Sequence, residues 1–169
     1  MANNGTEIVE RLVKVNRCTA VTKGGRKFSF SVIVVAGDRK GKVGYGLGKA
    51  SEVMDAKTKA ADEARKNMVK IPLREGRTLH HDIIGKFCSA KVIMRASPAG
   101  TGVIAGGTTR QFFEVLGMKD IVAKSVGSNN PHNIIKAVLD GLQKTNTPKM
   151  IADKRGKKIV EIASYRKKI

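Results

Sequence analysis

Three glycines at alternate positions, Gly44, Gly46 and Gly48, constrain this chain more than any other feature. They sit in GKVGYGLGKA (residues 41–50), with Val43, Tyr45 and Leu47 in the intervening places. Successive side chains of a strand point to opposite faces, so the three glycines would leave one face as bare backbone. Glycine weakens a strand interior, and a run in register is understandable only where something must come close to that backbone. Upstream, Phe28, Phe30, Val32 and Val34 alternate with Lys27, Ser29, Ser31, Ile33 and Val35, again at strand period. Gly37-Asp38-Arg39-Lys40-Gly41 between the two runs supplies turn chemistry. The stretch Gly24–Lys49 therefore predicts a β-hairpin. It is entered through a flexible basic loop, Thr22-Lys23-Gly24-Gly25-Arg26-Lys27, and preceded by a first strand within Glu7–Cys18.

After Lys49 the period changes. Val53, Ala56, Ala60, Ala64 and Met68 recur at helical spacing, with Ser51 as a capping residue, Glu52 and Asp55 at the positive end, and Arg65, Lys66 and Lys70 near the negative end. Pro72 stops the helix. Its alanine face permits close approach, so packing on the glycine strip is the plainer reading; approach of an RNA backbone to the same strip is the other. Leu73–His81 reads as a polar junction. Beyond it, Ile83–Cys88 and Ala90–Ala96 form a strand pair, the latter setting Val92, Met94 and Ala96 against Lys91, Ile93 and Arg95. Thr108 or Thr109 caps a short helix burying Phe112, Val115 and Leu116 and ending at Gly117. Ile121–Val126 is a strand, and Asn130-Pro131 opens a helix whose face is Ile134, Ile135, Val138, Leu139 and Leu142. From Thr145 onward the chain is a basic tail. The class is α+β: three strands and a helix, then β-β-α-β-α, as two small domains sharing an interface. Their expected bounds are residues 7–72 and 80–146, with 147–169 as the tail.

Charge sets the function class. The chain of 169 residues carries 33 basic and 14 acidic side chains, a net +19, spread as +8 over residues 1–72, +6 over 73–150 and +5 over 151–169. Such an excess repels itself and calls for a polyanion, with nucleic acid ahead of a membrane surface. No apolar run reaches the roughly 18 residues of a spanning helix, and Met1–Thr6 does not read as a signal peptide. Cys18 and Cys88 stand alone, which fits a reducing cytoplasm without a structural disulfide. An NTP site fails on its motif: Val43 and Ala50 occupy positions where a P-loop ending in Gly48-Lys49 needs Gly and Ser/Thr, and after Gly107 Thr108 stands in place of Lys. His80 and His81 point apart on an extended segment, His132 lacks an evident partner, and no catalytic set can be assembled. No cofactor, metal, membrane or small-molecule substrate is expected.

For RNA the case is better. Arg17, Lys23, Arg26 and Lys27 cluster around a loop whose Gly24 and Gly25 expose backbone N–H groups, with Thr19 leading into it; Lys40, Lys42 and Lys49 follow from the hairpin. Phe28 and Phe30 alternate as core residues do, so stacking of bases on an aromatic platform is not expected, and structured RNA read by shape and backbone is.

The run GGRKFSFSVIVVAGDRKGKVGYGLGKASEV, with AGTGVIAGG at 99–107, GSNNPHN at 127–133 and KRGK at 154–157, strongly resembles the bacterial-type family of small-subunit ribosomal protein five. The resemblance covers residues 7–160 in order and spacing. It implies an N-terminal sheet-plus-helix domain similar to double-stranded-RNA-binding domains, and a C-terminal domain with a left-handed β-α-β crossover. It also implies a non-catalytic protein of the small ribosomal subunit that binds small-subunit rRNA and touches ribosomal proteins four and eight. By the same resemblance it holds head and body in relation, lies near the path by which mRNA enters, and supports decoding accuracy. Carried over by position, Thr19–Lys27 matches the family's long rRNA-reaching hairpin, and Arg110 lies in the region facing protein four. Ala163–Ile169 extends past the matching core and is given no role beyond basic charge. The rival from another class is a free-standing RNA chaperone or helicase-like accessory factor.

Overall fold

The computed structural model describes residues 8–163, so Glu7 and the last six residues of Ala163–Ile169 lie outside the described residues. The first half is an antiparallel sheet in the order β1-β2-β3-β4: β1 Val9–Thr22, β2 Gly25–Gly37, β3 Lys42–Ala50 and the two-residue β4 Val69–Lys70. Helix α1, Val53–Lys66, lies between β3 and β4 in the chain. The second half is a sheet in the order β5-β6-β8-β7: β5 Ile83–Phe87, β6 Ala90–Ala96, β7 Val103–Ile104 and β8 Ile121–Gly127. Helix α2, Gly107–Leu116, connects β7 to β8, which run parallel, so the three form a β-α-β crossover. Helix α3, Pro131–Gln143, packs on β5 and β6, and α4, Pro148–Arg155, and α5, Ile159–Ala163, follow. The chain is thus α+β with two sheets.

The glycine strip is filled by α1. A Cβ built on Gly44, Gly46 or Gly48 would land on the carbonyl oxygen of Ala64, Ala60 or Ala56, respectively. The match is metrical: two residues along a strand advance about 6.7 Å and four along a helix about 6 Å, so glycines at period 2 meet alanines at period 4. Val32 and Val34 of β2 complete this small core with Ala56, Ala60 and Ala61. The other face of β2 sends Ile33 and Val35 into a larger core that runs through Phe112, Phe113 and Leu116 of α2 to Met94, Val138 and Leu142 of the second half. One continuous apolar core therefore joins the two sheets.

Backbone hydrogen bonds reinforce that junction. The last carbonyls of α2 have no partner within the helix, and two are taken up by the β2–β3 turn: Arg39 N donates to Val115 O and Gly41 N to Leu116 O, both at 3.1 Å. The turn is held by Asp38, whose Oδ1 accepts from Lys40 N and Lys42 N at 2.8 Å each. Gly117, at φ 96°, closes α2 in the left-handed conformation, and a Cβ there would strike the backbone of Arg39. Tyr45 of β3 meets His132 at the start of α3 edge to face, with ring centroids 6.2 Å apart. This is the partner that the sequence left unnamed for His132.

Four sequence expectations need correction. The basic segment Thr22–Lys27 is not a flexible loop: β1 and β2 stay paired to Thr22↔Gly25, leaving Lys23-Gly24 as the turn. Apolar alternation fades after Cys18, but the backbone ladder needs none. Glu52 rather than Ser51 is the N-cap of α1, and the helix ends at Lys66 because Val69 and Lys70 pair with Val43 and Lys42. Thr108 and Thr109 lie inside the first turn of α2, where Thr109 Oγ1 donates to Gly106 O. The two-residue β7 carries no periodic signal, so the second half is β-β-β-α-β-α. The basic tail, whose order the sequence leaves open, is helical in part: Thr147 caps α4, Pro148 begins it and Gly156 ends it in the left-handed conformation.

Gly46→Ala should cost about 3 kcal/mol or more in stability, since a methyl group driven onto a helix carbonyl forces the whole helix off the sheet. Gly24→Ala, with open space around it, should change stability by under about 0.5 kcal/mol. Urea unfolding of the two variants checks this; equal effects would contradict the packing described.

Candidate nucleic-acid interface

From residue 11 to residue 37 the chain holds six cations (Arg11, Lys14, Arg17, Lys23, Arg26, Lys27) and no acidic residue. This stretch is the long β1–β2 ribbon. Strand β3 ends at Ala50, opposite Phe30, so from Ser29 to the Lys23-Gly24 turn the ribbon has only two strands and projects beyond the sheet. Register assigns its faces. Arg17, Thr19, Val21, Arg26 and Phe28 share the α1 side, while Lys14, Cys18, Ala20 and Lys27 share the other. All six cations are exposed, and among the described residues none of them makes a salt bridge. The tip is tightened by Thr22 Oγ1 donating to Gly25 O at 3.2 Å, and Gly25 takes φ 129°, which an L side chain rarely adopts.

The structure brings Arg17, Thr19, Lys23, Gly24, Gly25, Arg26 and Lys27 together on this ribbon. It does not bring Lys40 and Lys42 to them. Lys40 lies in the turn and Lys42 opens β3, both beyond Gly37 at the far end of β2, which is twelve residues from Gly25, or about 40 Å along an extended strand. Lys49 lies between, exposed, opposite Ser31 on the face of Lys27. The ten predicted residues are therefore a ribbon cluster, one intermediate lysine and a remote pair. Arg110 is exposed on α2, as its helical position predicts, but it is not free: Nε meets Glu114 Oε1 at 3.0 Å. An exposed pair one turn apart is worth only about 0.3–0.5 kcal/mol and exchanges easily for another partner.

A second basic surface was only half visible in the sequence. Helix α3 packs on one face of β5 and β6, the side on which Ile83, Val92, Met94 and Ile121 are buried. The opposite face carries Lys86, Lys91, Arg95 and Lys124 beside Ile84, Ile93 and Val126, with no acidic residue in these strands. Alternation in Ala90–Ala96 signals part of it; the cross-strand register that gathers the rest cannot be read from a single strand.

Asp120 has no sequence signal at all. It is buried, its Oδ1 accepts from Gly100 N (2.9 Å) and Gly102 N (3.1 Å), and its Oδ2 pairs with Nε and Nη2 of Arg77, both at 3.0 Å. It thus ties the glycine-bearing loop after β6 to the junction segment. The Gly102 N–H holds its pKa below the ordinary carboxylate value, against desolvation, with Arg77 and the Gly100 N–H adding to the effect. Burial, with the nearby Lys136, lowers the pKa of His132 against the opposing pull of Glu63. His81 Nε2 accepts from Asn146 N at 3.3 Å, linking the junction to the chain after α3. Among the described residues no cluster of His, Cys, Asp and Glu is placed to hold a metal ion, and no helix is long and apolar enough to cross a membrane.

Fold and surface together define a basic two-sheet α+β protein with a protruding ribbon and an open sheet face, on both of which the cations make no salt bridge among the described residues. Residues 8–72 match the family description "Ribosomal protein S5, N-terminal domain" and residues 85–155 "Ribosomal protein S5, C-terminal domain". Similar proteins include the small ribosomal subunit protein uS5 of Wolbachia pipientis wMel, 56% identical over 96% of this chain and 96% of that protein. The uS5 of Ehrlichia ruminantium is 56% identical over 97% and 94%, and that of Dinoroseobacter shibae 54% over 92% and 82%. The chain belongs to the ribosomal protein S5 family. That family is a structural, non-enzymatic component of the ribosome.

The depressed pKa of Asp120 has a stability consequence with a definite sign. The unfolded chain binds this proton more readily, so the stability it contributes is present above the ordinary carboxylate value of 3.8 and fades as pH falls through the lower native value. Asp120→Asn should unfold more easily at neutral pH and lose part of the acid-dependent slope below about pH 4. Urea midpoints measured against pH check this; an unchanged slope would mean that Asp120 is not the clamp.

Proposed function

We propose that the protein is a structural constituent of the small subunit of the cytoplasmic ribosome and grips small-subunit rRNA with the β1–β2 ribbon. The observation that carries this is the ribbon itself: an acid-free set of cations, none in a salt bridge among the described residues, on an arm held out from a packed sheet. Phosphates are met by such cations and by exposed N–H groups, and each phosphate neutralised adds to affinity. Arg17, Thr19, Lys23, Gly24, Gly25, Arg26 and Lys27 make the ribbon contact; Lys49 extends it along the sheet, and Lys40 and Lys42 serve a separate contact at the other end.

The finer reading follows the family resemblance. Residues 7–72 act as a domain similar to double-stranded-RNA-binding domains, residues 80–146 as an α+β domain whose β7-α2-β8 crossover is left-handed, and 147–169 as a basic tail. The arm reaches between head and body, holds their relation and supports decoding accuracy near the path by which mRNA enters. Ribosomal proteins four and eight are neighbours, with Arg110 facing protein four. Support for that last point is geometric: Arg110 is exposed, and its present ion pair is weak enough to exchange. An RNA chaperone acting off the ribosome would use the same cations but gains nothing from a single rigid arm.

Reconstitution of subunits tests the proposal. Removing Lys23–Arg26 should leave the fold intact while weakening rRNA binding. The salt dependence should flatten too, by about one unit of slope for each phosphate that the tip no longer neutralises. Subunits carrying Arg110→Leu should assemble and misread more often. Normal assembly and salt slope without the tip would refute the arm as the rRNA contact, and unchanged misreading would remove Arg110 from the mechanism.

A further inference from the structure

We propose that Arg17 and Phe28 form a stacking platform for an unpaired base of the RNA, so that the ribbon holds a nucleobase as well as phosphates. This rests on the rRNA-binding reading above and adds a site to it. The alternating row Phe28, Phe30, Val32, Val34 continues past the part of the sheet that has a core beneath it. Val32 and Val34 are wholly buried under α1, and Phe30, opposite the last residue of β3, is half-buried. Phe28 is 46% exposed, on the two-stranded arm. The row that the sequence assigns to a core therefore ends in an aromatic ring that no core requires.

That ring is not bare. The guanidinium carbon of Arg17, from the neighbouring strand and the same face, lies 3.8 Å from the centroid of the Phe28 ring. A guanidinium on a ring face is stabilised by the ring quadrupole and keeps its charge. The pair offers a broad, cationic, largely apolar surface, flanked by Val21, 76% exposed, and Arg26 across the ribbon from it. Unstacked bases are held on such aromatic and guanidinium surfaces. An apolar protein side chain would also be buried there, but six cations without one acidic residue along the arm favour a polyanion. Charge and shape together select RNA.

Stacking and phosphate contact differ in their response to salt, which gives the test. Full-length protein would be titrated with its own small-subunit rRNA at several salt concentrations, with nucleotide-resolution base probing of each complex. Phe28→Leu keeps apolar volume and removes the π face; it should weaken binding roughly tenfold, leave the salt slope unchanged, and expose one or two bases protected by the wild type. Phe28→Trp should restore both. Arg17→Lys, which keeps the charge but loses the planar fork, should weaken binding with the slope retained. Phe28→Leu binding as tightly as wild type, or disturbing only a protein neighbour, would overturn the platform. Lys23→Gln and Arg26→Gln in the same assay should each lower the slope. If they do so while Phe28→Leu has no effect, stacking alone fails; if they do nothing, the RNA reading of the ribbon fails with it.

Discussion

The rest of the structure depends on the seating of an alanine-faced helix directly on glycine backbone. Because Gly44, Gly46 and Gly48 have no side chains, α1 lies close enough to β3 for its carbonyls to occupy the space of the missing Cβ atoms. Contact at that range cannot slide, since displacement in any direction either opens a void or brings backbone into backbone. The sheet is pinned from one side by α1 and from the other by α2. Strands β1 and β2, rooted in this layer, can then run on as an unsupported arm. A floppy arm with the same charges would lose more conformational freedom on meeting a partner.

The second half contributes through its junction with the first. Helix α2 is shared by both: its side chains enter the common core, its terminal carbonyls are taken by the β2–β3 turn, and Gly117 fits only because no Cβ faces Arg39. Asp120 then fastens the loop after β6 to Arg77. Backbone contacts of this kind specify a single arrangement of the two sheets. Slack at this junction would let the two sheets move against each other, and the shared core and backbone hydrogen bonds leave none.

Much of this is legible in the sequence, for identifiable reasons. The strand–turn–strand of residues 28–48 announces itself by period and turn chemistry, the helix after Glu52 by period, and the helix after Asn130 by period and cap chemistry. The glycine strip tells of a close neighbour, and the alanine spacing names it. Reading fails where local signals are silent. Thr19–Lys27 lacks apolar alternation and so resembles a loop, although ladder bonds are made by backbone. Phe28 shares a perfect alternation with three residues that are half or wholly buried, and only the register showing where β3 stops reveals that it lies beyond the core. Lys40 and Lys42 are near Lys27 in sequence, yet they lie beyond the other end of β2, about 33 Å along the strand. Asp120 draws its partners from 18 to 43 residues away, and no spacing rule reaches that far.

The central claim, that the ribbon tip lies against rRNA, is open to direct measurement. An iron chelate tethered at Lys23→Cys, with Cys18 and Cys88 replaced by serine, generates hydroxyl radicals only in the neighbourhood of the tip. In assembled small subunits it should cut small-subunit rRNA strongly at a few confined sites, and the same protein with the chelate untethered should not. Cleavage from position 23 no stronger than from the untethered control would contradict the account.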